Sequence, residues 1–287
     1  MQEKIKLIEC PRDAMQGIKT WIPTEDKVRY LSQLLKVGFD TIDCGSFVSE
    51  KAVPQMKDTA EVLRRLDLTE ASSKLLAIVA NARGAETAAQ FDEIHYLGFP
   101  FSISETFQQR NTNSSIAESL VRVEEIQKLA VKQKKELVIY ISMGFGNPYG
   151  DEWNPEIAIN WCNKLYNDLG IKIMALSDTV GSAVPATISQ LFSDLIPALP
   201  SVEFGAHLHT VPDKYHEKME AAYNSGCRRF DGALKGYGGC HMAADELTGN
   251  MPMELMIGFL KEKGIPTGLN DEAFRKAMAM AGEIFPV

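Results

Sequence analysis

Long apolar runs, paired cysteines and blocks of positive charge are all scarce in this 287-residue chain, and each scarcity removes a class of function. No stretch approaches the roughly 18 uninterrupted apolar residues of a membrane-spanning helix, so no membrane passage is expected. The five cysteines (Cys10, Cys44, Cys162, Cys227 and Cys240) are odd in number, scattered and without C-x-x-C spacing. That argues against a disulfide scaffold or a zinc finger and fits a reduced, cytoplasmic protein. There is no basic arm or Lys/Arg block, and the formal net charge is -8, so nucleic acid is not an expected partner. The opening "MQEKIKLIECPRD" enters a strand-like run at once, without a signal-peptide core or transit segment. The closing "EIFPV" is neither a peroxisomal nor a lipidation tag. Linkers rich in Pro, Gly or Ser are absent, and one domain spanning residues 1–287 is expected. Histidine is also sparse. Of five, two stand two residues apart in "GAHLHT", at the end of an apolar run.

What the chain does have is alternation. Short apolar, β-branched runs read as strands at 5–10, 40–45, 74–80, 93–99, 136–143, 171–178, 202–209 and 228–234. Helical periodicity fills 24–37, 54–66, 83–91, 115–134, 155–169, 184–197, 213–225 and 252–263. Thr24 reads as the N-cap of the first of these, with Glu25 and Asp26 in its first turn, an apolar stripe at Val28, Leu31, Leu34 and Leu35, and Gly38 as its stop. Asn154 and Pro155 open another, and Gly170 closes it. Eight strands, each followed by a helix, predict an α/β fold: a closed parallel (β/α)8 TIM barrel, with "DEAFRKAMAMAGEIF" as an additional C-terminal helix. An open doubly wound sheet is the alternative, but the first strand-to-helix turn lacks G-x-G-x-x-G.

In such a barrel the chemistry gathers where strands end and the following loops begin. The first strand leads into "ECPRDAMQ", with Arg12, Asp13 and Gln16; the second into "DCGSF", with Asp43 and Ser46. Asn81 follows the third, and "MGFGNPYGD" with Asn147 and Tyr149 follows the fifth. The sixth ends in "LSDTVG", with Ser177, Asp178 and Thr179. The seventh ends in His207 and His209, which share one face of a strand because side chains alternate. After the eighth comes "KGYGGCHMAADELTGN", with Cys240, His241 and Asn250. One carboxylate (Asp13), two imidazoles (His207, His209) and one amide (Asn250) on one barrel face suit a divalent cation, Mg²⁺ or Mn²⁺, with Zn²⁺ as an option. So few protein ligands leave positions open for a substrate.

The segments "IECPRDAMQ", "SFVSEKAVPQM", "NARGAE", "LSDTVG", "AHLH", "GYGGCHMA" and "TGN" occur here in the order and context found in the hydroxymethylglutaryl-CoA lyases, members of the DRE-TIM metallolyases. The chain resembles that family from about residue 5 to residue 265, and "SFVSEKAVPQM" favours its lyase branch over the synthases. The resemblance implies that Asp13, His207, His209 and Asn250 hold a divalent metal, usually Mg²⁺ or Mn²⁺. It implies that Arg12 stabilises enolate charge, that Cys240 is the cysteine of a mobile glycine-rich loop, and that Asp178 is an active-site acid. An acyl-CoA substrate and a homodimer are implied as well. Four positions depart from the pattern: Ala14 for glycine, Asp43 for glutamate, Thr210 for the acid after the second histidine, and His241 for proline.

The expected reaction is cleavage of 3-hydroxy-3-methylglutaryl-CoA, or a close 3-hydroxyacyl-CoA, to acetyl-CoA and acetoacetate. Asp43, Asp178 or the metal-bound environment itself is the candidate base, Arg12 the group that offsets enolate charge, and Cys240 a candidate to protonate the enolate carbon or to help exclude water. Gln16, Ser46, Asn81, Asn147 and Tyr149 are candidate substrate contacts. An aldolase or Claisen-type synthase acting on another keto or hydroxy acid, and a non-catalytic acyl-CoA-binding relative, are the competing readings.

Overall fold

The computed structural model describes residues 4–239 and 248–285. Eight strands form its centre: β1 (Lys6–Glu9), β2 (Thr41–Ser46), β3 (Lys74–Ile78), β4 (Ile94–Ser102), β5 (Glu136–Ser142), β6 (Ile173–Asp178), β7 (Glu203–Thr210) and β8 (Arg229–Gly232). Each pairs in parallel with the next, and β8 pairs in parallel with β1, so the sheet closes on itself. Closure leaves no edge among the eight strands. A ninth, two-residue strand, β9 (Gly249–Asn250), was not foreseen; it lies antiparallel to the end of β7 and sets Asn250 opposite His209.

The helices are α1 (Pro11–Gln16), α2 (Thr24–Val37), α3 (Thr59–Arg65), α4 (Ala82–Ala89), α5 (Glu105–Thr112), α6 (Ile116–Lys132), α7 (Pro155–Leu169), α8 (Pro185–Ala198), α9 (Tyr215–Asn224), α10 (Met253–Glu262) and α11 (Asp271–Ile284). Their boundaries follow local chemistry. Asn154 caps α7 by accepting from Ile157 N–H, and Gly170 ends it in the left-handed conformation. Ser115 and Glu118 form a reciprocal capping box at the start of α6. In α2, Leu31, Leu34 and Leu35 are buried against the barrel, each such side chain contributing about 1.5–3 kcal/mol. The C-terminal helix α11 is present as expected. It lies on α2, where Gln33 donates to the Ala273 carbonyl and Phe285 meets the ring of Tyr30 edge-on.

Several local expectations change. Thr24 is the first residue of α2 and not its cap; its hydroxyl donates to Asp58 and Pro23 holds the cap position. The helix expected over 54–66 divides into a 3₁₀ turn at Pro54–Met56 and α3. "PRDAMQ", expected as loop, is α1, with Pro11 at its start, where the missing N–H costs nothing. The unforeseen α5 has only Phe107 as a buried apolar residue, too little periodicity to betray a helix; Ser104 caps it. No helix among the described residues is long and apolar enough to cross a membrane.

The main core lies between sheet and helices, while Leu76, Ile78, Tyr96, Val138, Tyr140, Ile173 and Ala175 pack as a separate cluster inside the barrel. Strand alternation decides which residues look inward. A bulge after Asp43 resets it in β2: Asp43 pairs with Leu76, but Ser46 pairs with Ile78. Both therefore reach the inner face despite their odd spacing.

Candidate functional site

Asp13 is the hub of the polar residues at the strand ends. It is buried in α1, directly after β1, and both carboxylate oxygens are engaged. Oδ1 accepts from Arg12 Nη1 (3.0 Å) and Gln16 Nε2 (2.6 Å), and Oδ2 accepts from Asn250 Nδ2 (2.6 Å). Burial alone would raise its pKa, but Arg12, then His207 and His209, pull it down to about 2. It is a fixed anion.

His207 and His209 share the inner face of β7, their ring centroids 5.4 Å apart. One ligand atom from each, with one carboxylate oxygen of Asp13, lie within 4.8 Å of one another. Both ring nitrogens of His209 are buried without a hydrogen-bond partner among the described residues. Burial, and next the neighbouring His207, push its pKa down to about 4, so it stands neutral with a lone pair to offer. An orphaned neutral imidazole beside a second imidazole and a carboxylate is a donor set that fits a divalent cation. Asn250 adds to it in one way only. Its amide nitrogen is committed to Asp13 and to the Tyr237 carbonyl (2.9 Å), which leaves Oδ1 as the atom it can give.

Arg12 lies beside this cluster. Its Nε and Nη2 both reach Asp43 Oδ2, and Nη1 serves Asp13 and Gln16 Oε1 (2.8 Å). Four of the five guanidinium N–H groups are thereby used, and one on Nη2 remains. Asp43 is wholly buried beneath it, and burial outweighs the pull of Arg12 to hold its pKa up near 6.

A cleft of about 390 Å³ opens over these groups. Arg12, Asp13, Gln16, Ser46, His207 and His209 form its polar floor, and Ser142, Ser177 and Thr179 extend it. Its other wall is apolar: Val48, Val53, Ile78, Ala80, Pro100 and Phe107. Gly238, at the entry to the glycine-rich loop, presses on the far side of the cluster. Its φ is +93°, and a Cβ there would stand 2.7 Å from Asn250 Nδ2 and 2.7 Å from the Asp13 carbonyl, so only glycine fits.

Other expected residues lie elsewhere. Asp178 faces away from the cleft, between the inward Ser177 and Thr179. Its carboxylate accepts from the buried Lys218 (2.7 Å) and from Ala183 N–H. Lys218 also donates to the carbonyls of Gly181 and His209, so the pair ties the end of β6 to the end of β7. Asn81 is exposed and caps α4 through Gly84 N–H. Asn147 braces its own loop, accepting from Tyr149 N–H and Asp151 N–H. Tyr149 stacks on Phe107 and lies against the Arg110 guanidinium. Thr210 donates to the adjacent Val211 carbonyl. Cys240 and His241 fall outside the described residues. Residues not foreseen are Tyr140, whose ring meets His207 edge-on, Lys218, and Asp231, whose Oδ2 lies 3.3 Å from His207 Nδ1. Tyr140 and Asp231 sit in runs that read as ordinary strands and Lys218 in a charged helical run, so nothing in the sequence singles them out.

The fold and the cleft describe a barrel enzyme of the metallolyase type, and comparison with known proteins gives the family. The HMGL-like family model matches residues 4–280. The hydroxymethylglutaryl-CoA lyase YngG of Bacillus subtilis is 32% identical over 93% of this chain and 88% of its own length. The 3-hydroxy-3-isohexenylglutaryl-CoA/hydroxymethylglutaryl-CoA lyase of Pseudomonas aeruginosa is 32% identical over 95% of this chain and 90% of its own. An HMG-CoA lyase structure from Acinetobacter baumannii, in complex with coenzyme A and 3-methylmalate, superposes with a TM-score of 0.89 at 28% identity, covering 99% of this chain and 92% of that one. The chain belongs to the HMGL-like family and is a carbon–carbon lyase.

Two outcomes are expected. His209→Ala removes an orphaned donor and abolishes tight Mn²⁺ binding in calorimetry while leaving the fold melting cooperatively; unchanged affinity would exclude His209 as a ligand. Lys218→Met strands the buried Asp178 and costs about 3–5 kcal/mol in urea unfolding; a loss under about 1 kcal/mol would mean that the pair does not clamp the strand ends.

Proposed function

We propose that this chain cleaves 3-hydroxy-3-methylglutaryl-CoA, or a close 3-hydroxyacyl-CoA, to acetyl-CoA and a 3-keto acid, acetoacetate for the methyl substrate. One observation carries the reading. Arg12 and the candidate ligands Asp13, His207 and His209 line the floor of the same cleft. Asp13, His207 and His209, with Asn250 through Oδ1, are the residues that would hold a divalent cation, Mg²⁺ or Mn²⁺. When bound, such an ion supplies Lewis acidity that orients a tertiary hydroxyl and eases loss of its proton.

The chain's own residues do the rest, with Asp43 Oδ1, buried and without a hydrogen-bond partner among the described residues, as the candidate acceptor of that proton. Breaking the bond between C2 and C3 leaves negative charge on the thioester enolate of the departing acetyl-CoA. Arg12 meets that charge with its free Nη2 hydrogen, a donor held in place before the reaction by Asp43, Asp13 and Gln16. Asp43 acts through Arg12: wholly buried and bonded to two of its nitrogens, it fixes the guanidinium plane. Asp178 serves the scaffold, paired as it is with Lys218. Cys240 follows the Gly238 turn that abuts Asn250, and is the thiol suited to deliver a proton to the enolate carbon. Gln16 and Ser46, on the cleft floor, are the remaining candidate substrate contacts.

The apolar wall favours a substrate range wider than the methyl compound, since Val48, Val53, Ile78 and Phe107 offer surface to a longer C3 substituent. The P. aeruginosa relative is named for such a substrate. The four described cysteines are buried and free, which fits a reducing, cytoplasmic setting.

Metal-stripped protein should release acetyl-CoA and acetoacetate from 3-hydroxy-3-methylglutaryl-CoA only after Mg²⁺ or Mn²⁺ is restored. The 3-isohexenyl analogue should also be cleaved, with release of acetyl-CoA. No cleavage of either thioester by protein that binds Mn²⁺ would reject the reading, and turnover of free keto acids instead would favour an aldolase. Arg12→Met should lower kcat about 10²–10³-fold, the scale of losing one preorganised donor to a developing oxyanion. Turnover at the wild-type rate would remove Arg12 from the chemistry.

A further inference from the structure

Asp231 stands on β8 directly opposite His207 on β7, as a register pair. Its side chain is completely buried, and Oδ2 lies 3.3 Å from His207 Nδ1. A carboxylate oxygen within hydrogen-bonding distance of a ring nitrogen serves as the acceptor, so the nitrogen facing it is the one that carries a hydrogen. That leaves Nε2 with the lone pair, on the side of the ring turned from Asp231.

Asp231 is itself braced from below. Arg229, two residues earlier on the same inward face of β8, brings Nε to 3.9 Å from Asp231 Oδ1, a charge contact and not a hydrogen bond, since neither atom has a hydrogen-bond partner among the described residues. Its Nη1 donates to Glu203 Oε1 at 3.2 Å, and Glu203 pairs with Lys6. The Arg229 stem fills the space beside Gly205, where a Cβ would meet its Cδ at 2.9 Å. Lys6, Glu203, Arg229 and Asp231 thus form a charged column that rises through the barrel and ends on His207. Lys6 and Glu203 are partly exposed, but Arg229 and Asp231 are fully buried, and a buried charge pair is expensive where a hydrophobic interior would serve stability as well. The column needs a reason, and its upper end supplies one.

Asp231 could instead be a ligand itself, since Cys10, His207 and Asp231 also converge. The thiol argues otherwise. Cys10 is buried with its Sγ turned to the Ile8 carbonyl (3.7 Å), and neither it nor Asp231 lines the cleft that Asp13, His207 and His209 share.

We propose that Asp231, braced by Arg229, is a positioning residue that locks His207 in the Nδ1–H tautomer and so presents Nε2 to the divalent cation. The proposal rests on the reading of Asp13, His207 and His209 as cation ligands. Carboxylates behind metal-binding histidines act in this way, and their loss weakens metal binding about 10–100-fold.

The test is nitrogen NMR on full-length, metal-free protein with ¹⁵N-labelled histidine, at alkaline pH where the ring is neutral. The His207 signals are assigned by their loss in His207→Gln. Wild type should show His207 with hydrogen on Nδ1 and none on Nε2. In Asp231→Asn the amide donates to Nδ1 in place of the carboxylate, and the tautomer should reverse. Mn²⁺ affinity should fall about 10–100-fold while the thermal transition stays cooperative. An Nε2–H tautomer in wild type overturns the proposal, as does a folded Asp231→Asn protein that binds Mn²⁺ within about threefold of wild type. Should the variant fail to fold, the wild-type tautomer alone decides. Neither readout involves a substrate, so a failure of the lyase reading would appear as absent cleavage with both of these results intact.

Discussion

A buried carboxylate is tolerable only when its lone pairs meet donors or cations, and Asp13 satisfies that constraint with both oxygens. Arg12 and Gln16 come from the same short helix, and Asn250 comes from the far end of the chain. The two imidazoles lie on a third element, β7. One anion therefore pins the first strand's exit to the strap carrying Asn250, with the two imidazoles of β7 standing close beside it. Pairing of β9 with β7 reinforces the same junction, because it sets Asn250 opposite His209. The residues proposed to hold the cation and the arginine proposed to face the enolate are consequently tied to one junction.

A second consequence concerns how charge is distributed about the cleft. Arg12 touches two carboxylates, yet its hydrogen bonds leave it one unused donor. A cation so fully engaged cannot wander, and its remaining N–H has a fixed direction. That is the physical content of preorganisation: the geometry is set during folding, and little rearrangement is left for the reaction step. Lys218 and Asp178 do comparable work outside the barrel wall, where they secure the His209 carbonyl.

Much of this was legible in the sequence. The eight strands and the i, i+2 histidines follow from periodicity, and the resemblance to the lyases pointed to Asp13, Arg12 and Asn250. What was hidden was hidden for stated reasons. Asp178 looked catalytic because it ends a strand, yet its neighbours Ser177 and Thr179 take the inward positions and parity turns it outward. Asn81 looked like a loop polar group and is a helix cap. Helix α5, which brings Phe107 to the cleft, carries too few apolar residues to show a period. Asp231 lies in a run that reads simply as a strand, and nothing in the sequence says which residue of β7 it will face. Its role emerges only when β7 and β8 are placed side by side.

The most direct test of the cation site is crystallographic. Crystals grown with Mn²⁺, measured near the manganese absorption edge, should give one strong anomalous peak enclosed by Asp13, His207 and His209, within reach of Asn250 Oδ1. A peak elsewhere in the barrel, or none there at saturating Mn²⁺, would contradict the assignment on which the proposed chemistry stands.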